Sequence, residues 1–259
     1  MGTLRKGKAL AAVLVIVLLL APLLKIGNAF WAGMNSYYPS FLLLSNWVND
    51  SILVITGVPI RNSTLNELRN SPFSLTNIYL GPYGILPLNL TLEGPFSSSA
   101  RLNLNNTVTA EGGYGLLEVV IPPYTPYILL LASLTSPYNF TVDTSAAFSV
   151  GKGMAVINAS LQVLLCSNDT LTGSGNRIVI EAGRGVSYVL ISLGGRCPSN
   201  IGELLELNDQ RVDEWLSRSM RPPSIPPELA KEYFLSLLVV KDDQNPYLGT
   251  FAASPSPLY

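Results

Sequence analysis

The stretch AVINASLQVLL, residues 155–165, is the clearest indication of fold class in this chain. Its odd positions are apolar throughout, whereas Asn158, Ser160 and Gln162 occupy even positions. A two-residue repeat is typical of a β-strand with one buried face and one solvated face. We therefore predict a single strand over residues 155–165.

Short apolar runs stopped by glycine or proline occur on both sides of this stretch. Three of them cover residues 52–55, 116–121 and 127–131. Residues 177–182 and 186–193 are predicted to form a hairpin, with Gly183-Arg184-Gly185 as its turn. Many short strands and turn signals between residues 51 and 193 predict a mainly β fold, a β-sandwich.

The pattern becomes helical after residue 200. Leu204, Val212 and Trp215 recur at helical spacing, and Asn208 or Asp209 is a good N-cap that predicts the start of a new helix there. Four prolines fall within residues 222–227. This segment is predicted to be a stiff linker and a domain boundary.

A further helix is predicted from Pro227, a residue that suits the first helical position, to about Lys241, which suits the last turn. Its spacing predicts one apolar face, with a second apolar row beside it. The first row is Leu229, Tyr233, Leu237 and Val240, and the second row is Ala230, Phe234 and Leu238.

The N-terminus resembles an export signal. Arg5, Lys6 and Lys8 precede an apolar run over residues 9–24, and small residues surround Ala29. Residues 1–29 are predicted to be a signal peptide cleaved after Ala29, with an uncleaved signal anchor as the alternative. Both interpretations place the remaining chain in the extracellular space or on the cell surface, with membrane contact only through this segment.

Composition narrows the function classes. The chain has 16 basic and 17 acidic residues. Removing residues 1–29 takes away four basic residues and no acidic ones, which leaves 12 against 17, a balance of −5. A chain of this charge lacks the basic surface that nucleic acids require, so no nucleic-acid partner is expected.

The chain contains no histidine and two cysteines. The absence of histidine excludes a Ser-His-Asp or Cys-His catalytic device, and no metal site is expected. In an oxidising compartment Cys166 and Cys197 are able to form one disulfide.

Seven N-x-S/T sequons suggest glycosylation of an exported surface, although the polar composition of loops is an alternative explanation. They are Asn49, Asn62, Asn89, Asn105, Asn139, Asn158 and Asn168.

The C-terminal stretch carries a family resemblance. Residues 236–241 read SLLVVK, and Gly249 is followed by ASPS at 253–256. This arrangement resembles the opening of the catalytic domain in glycoside hydrolase family 15, the glucoamylase-like enzymes. Trp215 in RVDEWL is similar to the tryptophan of the family's linker helix, so the resemblance covers about residues 211–259.

The resemblance implies a domain organisation. Residues 30–200 would be an N-terminal β super-sandwich, 201–226 a helical, proline-rich linker, and 227–259 the start of a truncated (α/α)6 catalytic domain. It also implies a W-x-R-D motif directly beyond Tyr259, and Tyr259 itself would contact the sugar.

The implied activity is inverting hydrolysis of α-glucans or oligosaccharides by two glutamates, without a cofactor. Both glutamates lie far downstream in the family, and no glutamate of this chain matches them. No catalytic residue is therefore assigned, and the chain as given is expected to be inactive. Whether it is an enzyme stays open, because the alternative is a stand-alone exported β-sandwich that serves as a surface or carbohydrate-binding module.

Overall fold

The computed structural model describes residues 42–45, 47, 52–56, 74–80, 84–92, 101–193, 195–219, 226–245 and 250–251. All of these residues belong to one compact unit, Ser40–Tyr259. Several sequence predictions lie outside the described residues. They are the signal segment 1–29, the sequons Asn49 and Asn62, the proline-rich residues 221–225, the 253–256 loop and Tyr259.

Two eight-stranded antiparallel sheets make up most of the described chain, which confirms the prediction of a mainly β, sandwich-like fold. The first sheet has the order β1-β2-β3-β5-β10-β15-β14, and β4 pairs with β3. Its strands are β1 (Leu42–Ser45), β2 (Ile52–Thr56), β3 (Ser74–Leu80), β4 (Gly84–Ile85), β5 (Leu88–Leu92), β10 (Tyr138–Thr144), β14 (Thr170–Ser174) and β15 (Arg177–Ala182).

The second sheet has the order β11-β12-β13-β16-β9-β8-β7-β6. Its strands are β6 (Arg101–Leu102), β7 (Thr107–Gly112), β8 (Gly115–Val120), β9 (Tyr127–Leu134), β11 (Ala147–Gly151), β12 (Met154–Asn158), β13 (Gln162–Ser167) and β16 (Gly185–Ser192). A separate short pair joins β17 (Gln244–Asn245) to β18 (Thr250–Phe251). The strands predicted near residues 52, 116 and 127 are therefore confirmed as β2, β8 and β9.

The main hydrophobic core lies between the two sheets. Leu90 and Phe140 project into it from the first sheet, and Leu117 and Ile128 project from the second. All four are almost completely removed from solvent. Burial on this scale, along whole strands, is the main driving force for joining the sheets.

The outer face of the second sheet is covered by a helix, α1 (Ile201–Arg218). Leu129, Leu164 and Leu190 point away from the main core and are buried with Leu204 of α1 in a second apolar cluster. This explains why β16 reads as a nearly continuous apolar run, since both faces of the strand are covered.

The single strand predicted over residues 155–165 is wrong, because the segment forms two strands. β12 and β13 form a hairpin in which Asn158 pairs with Gln162. The odd positions point into the core on both strands. The alternation of apolar and polar residues therefore continues through the turn, and the pattern gives no sign that the strand is interrupted. The even face is not uniformly polar either, because Leu164 is buried beneath α1.

The predicted hairpin of residues 177–182 and 186–193 is also wrong. β15 pairs with β10 and β14 in the first sheet, whereas β16 pairs with β13 and β9 in the second. Gly183 and Arg184 therefore carry the chain from one sheet to the other. The apolar residues of the two strands face each other across the core instead of lying side by side.

Helix α1 is continuous, so the new helix predicted at Asn208 or Asp209 is wrong. The N-cap is Asn200, whose Oδ1 accepts a hydrogen bond from the Gly202 N–H at 2.9 Å. Asn208 lies in the middle of the helix and is buried, and its Nδ2 donates to the backbone oxygen of Asn105 at 2.7 Å. Asn208 therefore makes a tertiary contact and does not cap a helix.

Helix α2 (Pro227–Asp243) begins at the predicted residue, and only part of its predicted apolar surface is buried. Leu229 and Val240 are 49% and 51% exposed, whereas Leu238 is completely buried. The buried row is the adjacent one, which continues from Leu238 to Asp242. Among the described residues, no helix is long and apolar enough to cross a membrane.

Candidate functional site

The two cysteines form a disulfide, with their Cα atoms 6.1 Å apart. Cys166 lies on the outer face of β13, and Cys197 lies shortly before α1. The bond therefore attaches the start of α1 to the sheet that the helix covers.

The five sequons within the described residues have different surroundings. Asn89, Asn139 and Asn158 have exposed side chains. Asn168 is exposed, but its amide bonds to β16, with Nδ2 donating to Val186 O at 2.9 Å. Asn105 is half-buried, and its Nδ2 donates to Asp209 Oδ1 of α1 at 3.2 Å. The first three sequons are therefore the most accessible of the five.

An open groove of about 570 Å³ lies where β10, β11, β14 and β15 meet at one end of the sandwich. Its lining consists of small and polar residues with one aromatic ring: Thr144, Ser145, Ala146, Ala147, Phe148, Gly173, Ser174, Gly175 and Asn176. A side chain at Gly173 would collide with the Phe148 ring, since a Cβ there would lie 2.7 Å from Cε2. Glycine at this position therefore allows Phe148 to reach the groove.

The groove is suited to binding and not to acid–base chemistry. Its hydroxyl and amide groups can form hydrogen bonds, and Phe148 offers an apolar face of the kind on which sugar rings stack. None of the nine lining residues carries a carboxyl group or a basic side chain. Hydrolysis of a glycoside requires two carboxyl groups across the scissile bond, so the groove supplies no such pair.

The most unusual side-chain arrangement lies where α2 meets the sandwich. Here Trp47, which is 3% exposed, packs against Val212 of α1 and Leu238 of α2. We call this region the α2 junction and define it by Ser45, Trp47, Asn106, Tyr124 and Asp242. It brings together the end of β1, the turn before β7, the segment before β9 and the last turn of α2.

Asp242 is at the centre of the α2 junction and is 1% exposed. Its Oδ1 accepts four hydrogen bonds, from the Ser45 backbone N–H (3.1 Å), Ser45 Oγ (3.2 Å), Trp47 Nε1 (2.9 Å) and Asn106 Nδ2 (3.2 Å). Burial raises the pKa of Asp242 to about 7, and the hydrogen bonds from Trp47, Asn106 and Ser45 act in the opposite direction. Desolvation therefore exceeds the stabilisation that these donors give to the charged form.

Backbone strain is concentrated in the same place. Within the described part of the chain, three residues other than glycine have positive φ: Trp47 (59°), Asn106 (54°) and Tyr124 (61°). All three belong to the α2 junction. Asparagine tolerates this conformation, but for bulky aromatic residues it is costly, and it persists only where surrounding contacts impose it.

Aromatic and cationic groups surround Trp47. Its ring lies 5.4 Å from that of Trp215 and 6.3 Å, edge to face, from that of Tyr124. Lys241 Nζ lies 5.8 Å from the centre of the Trp47 ring. The guanidinium carbon of Arg211 lies 5.6 Å from the centre of the Tyr124 ring. Burial lowers the pKa of Lys241, and the charge of Asp242 opposes that effect. The centre of the α2 junction, around Trp47 and Asp242, is a closed, packed contact and not an open cleft, whereas Tyr124 at its edge is 51% exposed.

The α2 junction was not predicted from the sequence. One local signal was present, because Asp242 follows Leu238 by four residues and therefore lies on the same face of α2. No local signal marks Ser45, Trp47 or Asn106, which are 136 to 197 positions away from Asp242. Only the tertiary fold brings them together.

No protein-family model matches the chain, and comparison with curated proteins finds no significant similarity. The resemblance of residues 211–259 to glycoside hydrolase family 15 therefore stays a prediction. Among the described residues, no group of three or more His, Cys, Asp or Glu side chains is placed to hold a metal ion.

Proposed function

We propose that this chain is the N-terminal part of an exported glucoamylase-type glycoside hydrolase. The observation that carries the proposal is the outer face of α2, the helix whose sequence resembles the first helix of the family's catalytic barrel. Leu229 and Val240 are about half exposed on this face, and Tyr233 and Leu237 are half-buried. An apolar row of this kind is expected on a helix that packs against further helices.

The order of elements supports the same proposal. A β-sandwich precedes α1 and α2, and the family is expected to have a sandwich, a linker helix with a tryptophan and then a helical barrel. Trp215, the residue that resembles the linker tryptophan, packs against Trp47 with a tilted ring and so attaches α1 to the sandwich. The Cys166–Cys197 disulfide supports an extracellular or cell-surface location, since such bonds persist in oxidising compartments.

The proposed reaction is inverting hydrolysis of α-glucans or related oligosaccharides without a cofactor. One downstream glutamate would protonate the leaving oxygen, and the other would activate a water molecule. Tyr259 would line the sugar pocket and contribute no proton transfer. On this proposal the 259-residue chain supplies the sandwich and the first barrel helix, and it has no hydrolase activity by itself.

The test begins with the coding DNA beyond the Tyr259 codon. We expect a W-x-R-D motif followed by several hundred helical residues that include two catalytic glutamates. The extended protein, incubated with maltooligosaccharides, should release β-glucose as its first product, as proton NMR distinguishes directly. The 259-residue protein is the matched control and should release no glucose above a blank. Turnover by that control, or α-glucose as the first product, would contradict the proposal.

A second candidate function is favoured by the groove. An exported β-sandwich with a polar groove and one half-buried aromatic side chain in its lining is suited to bind a carbohydrate without cleaving it. In this case the 259-residue protein would be a stand-alone surface or carbohydrate-binding module. A stop codon directly after Tyr259, with unrelated sequence beyond it, would support this alternative.

Variants of the groove test the second candidate. Ser145→Arg and Ser174→Arg place a long side chain at exposed lining positions, and Ser136→Arg places the same side chain near the opposite end of β10. If the groove binds glucans, calorimetric titration with maltoheptaose should show binding by the wild type and by Ser136→Arg. The two groove variants should then lose at least tenfold in affinity. Equal affinity of all four proteins would exclude the groove as the binding site.

A further inference from the structure

Two buried oxygen atoms in the α2 junction have no hydrogen-bond partner, and they belong to residues that already contact each other. One is Asp242 Oδ2 and the other is Asn106 Oδ1. The same two side chains are joined by the bond from Asn106 Nδ2 to Asp242 Oδ1. Buried polar atoms rarely remain without a partner, because each costs the full desolvation of its group.

A proton placed between two such acceptors would give each of them a partner. A neutral carboxylic acid has one hydroxyl donor and one carbonyl acceptor, and a primary amide has the complementary pair. When the acid carbonyl accepts from the amide N–H, its hydroxyl is able to donate to the amide oxygen and close a ring of two hydrogen bonds. All four donors around Asp242 meet Oδ1 and none meets Oδ2. Oδ2 is therefore the oxygen that is left to carry the proton.

We propose that Asp242 is a neutral acid in the folded protein, that its Oδ2 hydroxyl donates to Asn106 Oδ1, and that this acid–amide pair is a proton-controlled lock holding α2 on the sandwich. When the acid ionises, the proton leaves to solvent. The carboxylate Oδ2 and the amide oxygen are then two acceptors without a donor between them, and both oppose close packing. The last turn of α2 is therefore held less tightly in the ionised state.

The charged groups around the lock do not replace the proton. On α2 itself, Lys241 lies over the Trp47 ring and interacts electrostatically with Asp242 when that acid is ionised, but forms no salt bridge with it. On α1, Arg211 contacts Tyr124 and the Pro123 backbone oxygen, and Asp209 accepts from Asn105. The described part of β1 contributes Ser45, and the turn before β7 contributes Asn106, neither of which carries a charge. Among the described residues, no salt bridge involves Asp242.

The direction of the pH effect follows from the two states of the acid. In the unfolded chain Asp242 loses its proton near the ordinary pKa of 3.8, whereas in the folded protein the pKa is raised to about 7 by burial. Between these values unfolding releases a proton, so stability falls as pH rises through this window and levels off above it. The folding equilibrium constant should decrease by about a thousandfold across the window, ten raised to the difference between about 7 and 3.8.

Asp242→Asn is the matched variant, because an amide reproduces the neutral acid in shape and in its donor and acceptor. Urea unfolding of wild type and variant between pH 3.5 and pH 9 should show a loss of stability with rising pH in the wild type. The variant should lack that part of the loss and be the more stable protein at pH 9. Parallel pH profiles of the two proteins would overturn the proposal.

Two further measurements do not depend on how well the variant folds. Carbon-13 NMR of labelled aspartate in the wild type should show one carboxyl that titrates near neutral pH, and a full set of midpoints near 4 would overturn the proposal. Hydrogen exchange should show that the amides at the end of α2 lose protection above pH 7 relative to those of β9. A rise in melting temperature with calcium or sodium at pH 8, absent in Asp242→Asn, would place a cation where the proton is proposed and would also overturn it.

Discussion

Trp47 and Asp242 are 195 positions apart in the chain and are joined by a hydrogen bond of 2.9 Å from the indole Nε1 to the carboxyl Oδ1. This contact links the segment just after β1 to the last turn of α2. It also lies within the apolar cluster that contains Leu238 and Val212. The attachment of α2 to the sandwich therefore combines a buried polar network with a buried apolar cluster, and the two parts can be tested separately.

Trp47→Phe removes the indole donor and keeps an aromatic ring in the cluster. We expect the free energy of unfolding to fall by about 1–3 kcal/mol, because a hydrogen bond to a buried carboxyl group is lost and the smaller ring fills the space less well. Urea denaturation followed by far-ultraviolet circular dichroism measures the change without relying on tryptophan fluorescence. Unchanged stability would show that the Nε1 bond to Asp242 contributes nothing.

Leu238→Ala tests the apolar part. Its side chain is completely buried, so its truncation should cost about 2–5 kcal/mol. Val240→Ala on the same helix is the matched control, since Val240 is 51% exposed and its truncation should change stability by less than about 0.5 kcal/mol. Equal effects of the two substitutions would contradict the assignment of the inward face of α2.

Gly115→Ala tests the hairpin between β7 and β8. Gly115 has φ of +131°, and a Cβ there would overlap the backbone oxygen of Ser133 on β9. We expect the variant to be expressed mainly as insoluble protein, because β8 and β9 pair at this point. Gly113→Ala in the same turn has nothing within 4 Å of its Cβ and should remain soluble with near wild-type stability.

Reduction of the disulfide tests the attachment of α1. The bond closes a loop of 31 positions between Cys166 and Cys197, and in the chain-entropy description such a loop stabilises a fold by about 3–4 kcal/mol. Urea midpoints with and without a phosphine reductant should differ accordingly. The double variant Cys166→Ala/Cys197→Ala should match the reduced wild type and show no response to the reductant.

Local pattern was sufficient for the class of fold but not for the pairing of strands. The short apolar runs near residues 52, 116 and 127 are strands, because alternation and turn residues act over a few positions. The same rules could not show that β15 and β16 belong to different sheets, since both strands have the alternation that a hairpin would have. Which strand lies beside which depends on contacts between distant parts of the chain.

The orientation of α2 could not be predicted for a related reason. Apolar spacing identified two adjacent rows on this helix but did not show which of them faces the sandwich. The fold buries the row that contains Leu238 and ends at Asp242, because Ser45, Trp47 and Asn106 donate four hydrogen bonds to that carboxyl group. Any rule based on residue type alone predicts that a carboxyl group is exposed to solvent. Asp242 is buried only because Ser45, Trp47 and Asn106 donate hydrogen bonds to it.

The distance along the chain between Ser45 and Asp242 has a consequence for the order in which the protein is completed during synthesis. β1 is the terminal strand of its sheet in the described structure, and the helix that packs beside it appears 197 positions later than Ser45. At ribosomal rates of about 5–20 residues per second, synthesis of the chain from Ser45 to Asp242 takes about 10–40 s. During this interval a nascent chain presents an uncovered sheet edge to its neighbours, which is the kind of surface that chaperones protect.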